Sequence, residues 1–206
     1  MHISRACLPD RATLTMVRLT ISALLTAAAA STAAACTIPT VPLPNNITQG
    51  FAVQVQSPAY PEVHNRRMNL WSAGGGDQHL YLAPAGDAAD DLTLVNGVLT
   101  KATVVPTIRA VINGEYELAD NTTKMFMTER GDPRAVYDVV YSCNPDTDEL
   151  QTELAFRARG SLPGGHICVR TASGDRHEFR YSPPGNPAWT PARPCMEVKL
   201  VVIPSA

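Results

Sequence analysis

The chain has 206 residues, of which 45% are hydrophobic, and a formal net charge of −2 at pH 7. It contains no basic run of the kind that neutralises nucleic-acid phosphates, which argues against a nucleic-acid partner. Its five cysteines show neither CxxC nor Cys/His zinc-site spacing, so we expect no structural metal and no bound cofactor.

The first 35 residues have the layout of a secretory signal peptide. Arg18 precedes the apolar run 19–30, and small residues lead from there to Cys36. The sequence therefore predicts a signal peptide over residues 1–35, with Met16 as an alternative start of translation, and a secreted, extracellular protein. Because the apolar run is well short of the roughly 20 residues that span a bilayer, we expect no membrane anchor.

Residues 36–50 contain three prolines and no periodicity, which predicts an extended Pro-rich arm ahead of the folded part. Residues 51–206 are the right size for a single domain. Apolar and polar residues begin to alternate at 51–56, and no later segment has a helical period, so we expect little helix. Residues 123–128 and 196–203 each predict one continuous strand.

Two Asn-Gly pairs favour β-hairpins, because both residues tolerate the positive φ of a type I′ turn. Asn96-Gly97 separates the β-forming runs 92–95 and 98–100, and Asn113-Gly114 separates the β-forming runs 107–112 and 115–118. Two successive strand–turn–strand units of this kind are typical of an antiparallel β-fold. The sequence predicts an all-β domain: a single, jelly-roll-like antiparallel β-sandwich of about ten strands.

Four cysteines remain after the leader, an even number in a chain bound for an oxidising compartment. Cys36, Cys143, Cys168 and Cys195 can pair in three ways. We favour Cys168 with Cys195, which would tie down the Pro-rich segment 183–194, and therefore Cys36 with Cys143. Asn46 and Asn121 open N-x-Thr sequons, so we expect a glycoprotein.

Four segments resemble small secreted proteins of filamentous fungi that are built on a domain of unknown function. The segments are 60–65 (YPEVHN), 74–80 (GGGDQHL), 125–134 (MFMTERGDPR) and 181–186 (YSPPGN). The resemblance spans nearly the whole chain after the leader. It implies an extracellular or cell-wall setting and brings no catalytic residues.

Two groups of residues could form a binding site. Asp77 and His79 lie two apart, which on a strand places both on one face, although a turn aspartate and a solvent-facing histidine explain them better than a polar site does. Trp71, Tyr81 and Trp189 could stack on sugar rings if they are exposed, and Trp189, among prolines, is the best surface candidate.

No sequence motif indicates an enzyme, and no catalytic residue is predicted. We therefore expect a non-catalytic β-sandwich that binds a cell-wall glycan or an extracellular protein. The alternative is a small secreted hydrolase, similar to a glycosidase, that uses two carboxylates without a sequence signature. An exposed aromatic surface would favour the binding protein. A cleft with two facing carboxylates, one of them with a raised pKa, would favour the hydrolase.

Overall fold

Antiparallel β-strands make up nearly all the regular structure of the protein, which we describe from a computed structural model that defines residues 35–205. The predicted signal peptide and Met16 lie outside this range, apart from Ala35. In chain order the strands are β1 (Ile47–Gln56), β2 (Met68–Gly74), β3 (Asp77–Leu82), β4 (Asp87–Ala88), β5 (Leu92–Val95), β6 (Val98–Lys101), β7 (Ile108–Val111), β8 (Tyr116–Glu117), β9 (Thr122–Lys124), β10 (Phe126–Thr128), β11 (Ala135–Cys143), β12 (Leu150–Arg159), β13 (Leu162–Pro163), β14 (His166–Thr171), β15 (His177–Ser182), β16 (Met196–Glu197) and β17 (Lys199–Pro204).

The pairing of these strands is antiparallel throughout and largely between segments distant in sequence. β1 pairs with β17 and β5, β11 pairs with β12 and β6, and β15 pairs with β14, β3 and β9. The all-β prediction is confirmed, and a jelly-roll-like sandwich fits this architecture. Within residues 35–205 the helical structure is a single 3₁₀ turn, Ser173–Asp175, and no helix there is long and apolar enough to cross a membrane.

The described residues contain more strands than the ten or so predicted. The predicted strand 123–128 divides at Met125, whose N–H donates to the Phe179 carbonyl, so β9 pairs with β15 while β10 pairs with β3 and β7. The predicted strand 196–203 divides in the same way at Val198, whose N–H donates to the Ile167 carbonyl. The two-residue strands β4 and β13 are too short to show alternation in the sequence.

The first predicted hairpin is present and the second is wrong. Asn96 and Gly97 have φ values of 50° and 79°, and they join β5 to β6 with Val95 opposite Val98. Asn113 and Gly114, by contrast, do not have positive φ. β7 pairs with β6 on one edge and with β10 on the other, so no edge of β7 is left for β8, which pairs with β9.

The core lies against the inward face of the strands and contains mainly aliphatic side chains. On β1, alternation places Phe51, Val53 and Val55 in this core, where all three are essentially inaccessible to solvent. On β15, alternation places Phe179 and Tyr181 in the core and leaves the even-numbered residues on the outward face. The outward face of β15 and its neighbours is therefore where polar side chains gather.

Both expected disulfides are present. Cys36 bonds to Cys143 at the end of β11, and Cys168 on β14 bonds to Cys195. Asp148 lies close to the Cys36–Cys143 sulfurs, but sulfurs joined in a disulfide provide no thiolate for a metal. The arm that starts at Cys36 is shorter than the predicted 36–50, because β1 begins at Ile47.

The arm runs beside β11, and besides the Cys36–Cys143 disulfide it is held there by Asn45. The Asn45 side chain donates to Asp138 Oδ1 (2.8 Å) and accepts from the Val139 N–H (2.9 Å), while its carbonyl accepts from the Gly97 N–H (2.8 Å). These bonds connect the arm to β11 and to the β5–β6 turn.

Candidate functional site

Alternation places a cluster of charged side chains, here called the charged face, on the outward side of the sheet. Glu178 and Arg180 on β15 lie on the side opposite the core residue Phe179, with Lys124 of β9 across from Arg180 and Arg170 of β14 across from Glu178. Asp120, just before β9, completes the charged face. All five residues are buried.

Glu178 is the centre of the charged face. Its carboxylate accepts from Lys124 Nζ (3.0 Å), Arg180 Nη1 (2.9 Å) and Arg170 Nη2 (3.2 Å), and Arg170 Nη1 also donates to Asp120 (2.5 Å). Burial alone would raise the pKa of Glu178, but the hydrogen bond and charge of Lys124 and the charge of Arg180 outweigh it and hold that pKa below its usual range. The charged face thus contains three cations and two carboxylates, and a third carboxylate, the partly exposed Glu117, lies 3.6 Å from Arg170 Nη2.

Three of the predicted site residues meet at the edge of the charged face. Trp71 on β2 lies opposite His79 on β3, and its ring is 6.3 Å from that of Tyr81 in an edge-to-face arrangement. The guanidinium of Arg176 lies 5.0 Å from the Trp71 ring centre and 5.1 Å from that of Tyr81. Tyr81 is only 4% exposed, so its ring is not open to a sugar, whereas Trp71 is 43% exposed.

Asp77 and His79 share one face of β3, but the closer neighbour of His79 is a cation. His79 Nδ1 lies 3.3 Å from both Lys124 Nζ and the Tyr81 hydroxyl, and among the described residues His79 forms no salt bridge with Asp77. Burial, followed by the charge of Lys124, lowers the pKa of His79 more than Glu178 and Asp77 raise it. His79 is therefore a neutral group at neutral pH, in contact with the charged face.

Trp189 lies apart from these residues, on the wall of a cavity of about 580 Å³. We call this cavity the Trp189 groove, and its other walls include Tyr60, His166, Glu197 and Lys199. The indole of Trp189 is 55% exposed. Because Glu197 pairs across from Cys168, and His166 lies two residues before Cys168, both polar side chains are on the same outward face of β14 and β16.

The segment that carries Trp189 is held by contacts on both sides of it. The Cys168–Cys195 disulfide ties its end to β14, and the Cys195 N–H donates to the Ala188 carbonyl (3.1 Å). Asn186 Nδ2 donates to the Asp120 carbonyl (2.9 Å), which connects the segment to the charged face. The Ala188 side chain is fully buried, so the neighbouring indole is directed outward from a fixed backbone.

Sequence reasoning singled out Trp189 but missed its partners. Tyr60 comes from the β1–β2 connection, His166 from the start of β14 and Glu197 from β16, so only long-range pairing brings them together. The Ser57 hydroxyl donates to the Glu197 carbonyl (2.8 Å), which fixes the β1–β2 connection against β16. No local pattern in the sequence reports these contacts.

A histidine outside the groove has the partners of a catalytic dyad but no free nitrogen. His64 Nε2 lies 2.9 Å from Asp146 Oδ2, while its Nδ1 accepts from the Ser57 N–H (3.0 Å). A general base needs an unoccupied nitrogen directed at a substrate, so this histidine connects two loops.

Both sequon asparagines are exposed. Asn46 Oδ1 accepts from the Asn96 N–H (2.8 Å), and Asn121 Oδ1 accepts from the Tyr116 hydroxyl (2.6 Å). Neither of these bonds uses the side-chain amide nitrogen, the atom to which a glycan would be attached.

No curated protein and no solved structure matches the chain. One family model does match it, over residues 37–205, and this model is described as a domain of unknown function (DUF7909). The match covers the arm after Cys36, the Cys168–Cys195 disulfide, the charged face and the Trp189 groove. The resemblance to a domain of unknown function is thus confirmed, and the chain belongs to the DUF7909 family.

Proposed function

We propose that this protein is a secreted, non-catalytic β-sandwich that acts outside a fungal cell or in its wall by binding a glycan in the Trp189 groove. The observation that carries the proposal is the exposed indole of Trp189 on the wall of a 580 Å³ cavity. Cavities of roughly 300 to 1,000 Å³ are typical of small-ligand sites.

The chemistry of the groove suits a saccharide. A flat aromatic ring packs against the apolar face of a sugar, and nearby polar groups bind its hydroxyls. In the groove, Trp189 and Tyr60 are the aromatic side chains, while Glu197 is an acceptor and Lys199 a donor. The disulfide beside Trp189 holds this arrangement before a ligand arrives, which lowers the entropy lost on binding.

Secretion is supported by the chemistry of the described residues. Two disulfides join segments that are far apart in the sequence, and such bonds persist in oxidising compartments. The exposed Asn46 and Asn121 are compatible with N-glycosylation. We propose that both carry glycans in the secreted protein.

The alternative of a carboxylate-dependent hydrolase has less support. A glycosidase needs a general acid whose pKa is raised, facing a second carboxylate across the cleft. In the described residues the four carboxyl groups with shifted pKa values all shift downward: Asp91, Asp120, Asp146 and Glu178. The Trp189 groove contains one carboxylate, Glu197.

The proposal is tested with the two tryptophans of the chain as a matched pair. We expect Trp189→Ala to weaken the binding of soluble chito-, laminari- or cello-oligosaccharides by roughly tenfold or more, since an aromatic contact of this size contributes about 1.5 kcal/mol or more. Trp71→Ala is the control, because it removes a comparably exposed indole at a different place. Isothermal titration calorimetry measures both affinities.

Fluorescence locates the ligand independently. In a Trp71→Phe variant, Trp189 is the sole tryptophan, so a saccharide in the groove shifts its emission to shorter wavelength. If none of the three oligosaccharide series binds, or if Trp71→Ala removes binding and Trp189→Ala does not, the proposed function is wrong.

A further inference from the structure

A second cavity, of about 650 Å³, lies away from the Trp189 groove and has a different chemical character. Three arginines line it, Arg109, Arg134 and Arg157, and we call it the arginine cavity. Asp132 is the one carboxylate in the lining, so positive charge predominates. Exposed or half-exposed valines, Val95 and Val136, provide apolar surface beside the guanidinium groups.

Strand register places two of these arginines, Arg109 and Arg134, on the same face of the sheet. Arg109 of β7 is directly opposite Thr100 of β6, and Val98, two residues before Thr100, is opposite Val136 of β11. Residues directly opposite each other share a face, as do residues two apart on one strand. Arg134 lies two residues before Val136, so it shares the face of Arg109, which is the face directed away from the core.

A β-bulge directs the third arginine toward the same cavity. Between Val136 and Tyr137 of β11 the register with β12 shifts, because Val136 pairs with Ala158 and Tyr137 pairs with Phe156. Arg157 is the residue left without a partner. Bulges redirect a side chain and are enriched next to functional sites.

The hydrogen-bonding capacity of these arginines is only partly used within the protein. Arg109 Nη1 donates to the Glu129 carbonyl (3.0 Å), and Arg109 Nε is buried without an acceptor. Among residues 35–205, no carboxylate oxygen lies within 4 Å of the Arg109 guanidinium nitrogens. Arg134 pairs with Asp132 (3.3 Å) and Arg157 with Asp138 (2.7 Å). Both pairs are about half exposed, and ion pairs of this kind are weak enough for a ligand to replace them.

We propose that the arginine cavity is a second binding site, for a small ligand that carries an oxyanion such as the carboxylate of an acidic sugar. Guanidinium groups bind planar carboxylates and tetrahedral oxyanions with paired hydrogen bonds. Val95 and Val136 would pack against the carbon skeleton of the ligand. The site does not depend on the Trp189 groove, because the two share no residue.

The test uses the whole secreted protein, calorimetry at low salt and two anionic probes, trigalacturonate and inorganic sulfate. Cellotriose is the neutral probe of similar size. We expect trigalacturonate to bind, and Arg134→Gln to weaken it by roughly tenfold, the effect of losing one charge-assisted contact. Arg67→Gln is a matched control, since Arg67 has the same 48% side-chain exposure and a comparable aspartate partner at 3.1 Å, away from the cavity.

The outcomes separate the sources of the oxyanion. Trigalacturonate binding without sulfate binding identifies a sugar acid, and binding of both identifies a general oxyanion site. The proposal is overturned if neither anion binds, if cellotriose competes equally, or if Arg67→Gln and Arg134→Gln reduce affinity alike. A second variant, Arg109→Lys, keeps the charge but removes the planar fork, and it should also weaken binding. Thermal melts verify that each variant is folded.

Discussion

At the scale of single residues, Glu178 has the largest number of ion-pair partners in the charged face. Its carboxylate forms ion pairs with Lys124, Arg170 and Arg180, all of which are buried, and Asp120 is the other buried carboxylate among them. A buried ion cluster is stable only while its charges balance, because each unpaired ion loses its hydration without a replacement. Loss of Glu178 would leave three buried cations with one buried carboxylate, Asp120, and the partly exposed Glu117.

We predict that Glu178→Gln lowers the free energy of unfolding by roughly 3 to 5 kcal/mol, the usual cost of removing one partner from a buried ion pair. Chemical denaturation measures this change. Glu129→Gln is the control, since Glu129 forms an ion pair with the highly exposed Arg130, and it should change stability by less than about 1 kcal/mol. Equal stability of the two variants would contradict the proposed role of Glu178.

The same carboxylates make stability depend on pH. Burial alone would raise the pKa of Asp120, but hydrogen bonds from Thr122 and Arg170 outweigh it, so the pKa values of Asp120 and Glu178 are both below their usual range in the folded protein. Unfolded Asp and Glu titrate near pH 4. A carboxyl group whose pKa is lower in the folded protein than in the unfolded chain stabilises the folded protein fully at pH values above its unfolded pKa. This stabilisation is lost as the pH falls through the pKa of the folded protein.

We therefore predict that the melting temperature falls as the pH is lowered from about 5 to about 2, and that Asp120→Asn, with one of these carboxyls removed, shows a shallower fall. Calorimetric melts across this range measure both slopes. Asp87→Asn changes an exposed aspartate and should follow the wild-type slope. A steeper slope in Asp120→Asn than in the wild type would reverse the sign of the argument and reject it.

At the scale of secondary-structure elements, the β5–β6 turn leaves no room for a side chain at Gly97. Gly97 has a φ of +79°, and a Cβ added there would lie 2.4 Å from the Tyr137 carbonyl oxygen, closer than real Cβ atoms approach. The turn is also bonded to β11, since the Tyr137 N–H donates to the Gly97 carbonyl at 2.7 Å. A side chain at this position therefore disturbs both the turn and its contact with β11.

We predict that Gly97→Ala destabilises the protein by more than the roughly 1 to 3 kcal/mol expected from backbone strain alone. Gly75→Ala separates the two causes, because Gly75 also has positive φ (+64°) but an added Cβ meets nothing within 4 Å. Urea denaturation of both variants gives the comparison. If Gly97→Ala is no less stable than Gly75→Ala, the close approach to Tyr137 does not constrain the fold.

Local sequence patterns predict the elements that depend on interactions between residues close together in the sequence. The hairpin at Asn96-Gly97 depends on φ preferences that the residues themselves express, so the sequence located it. The Asn113-Gly114 pair carries the same signal, yet β7 and β8 take other partners, because pairing with β6, β10 and β9 is set by burial across the sheet. The candidate site shows the same difference. The proline-rich surroundings of Trp189 indicate a surface position from the sequence alone, whereas only the pairing of β14 with β16 places Glu197 in the Trp189 groove.

At the scale of the whole molecule, the two disulfides constrain different things. Cys36–Cys143 closes a separation of 107 residues and fastens the N-terminal arm to the end of β11. Cys168–Cys195 closes a separation of 27 residues and holds the segment that carries Trp189. Closing a longer loop removes more entropy from the unfolded chain. Cys36–Cys143 should therefore affect mainly the stability of the fold. Cys168–Cys195 should affect both stability and the Trp189 groove.

We predict that removing Cys36–Cys143 with paired serine substitutions lowers the free energy of unfolding by about 4.7 kcal/mol, and that removing Cys168–Cys195 lowers it by about 3.5 kcal/mol, from the loop lengths alone. The order should reverse for ligand binding. Without Cys168–Cys195 the Trp189 segment loses its tie to β14, so oligosaccharide affinity should fall, whereas the Cys36,Cys143→Ser protein should bind as the wild type does. Denaturation and calorimetry on the same two proteins measure both effects. A protein lacking Cys168–Cys195 that binds oligosaccharide with unchanged affinity would show that the groove does not need this disulfide.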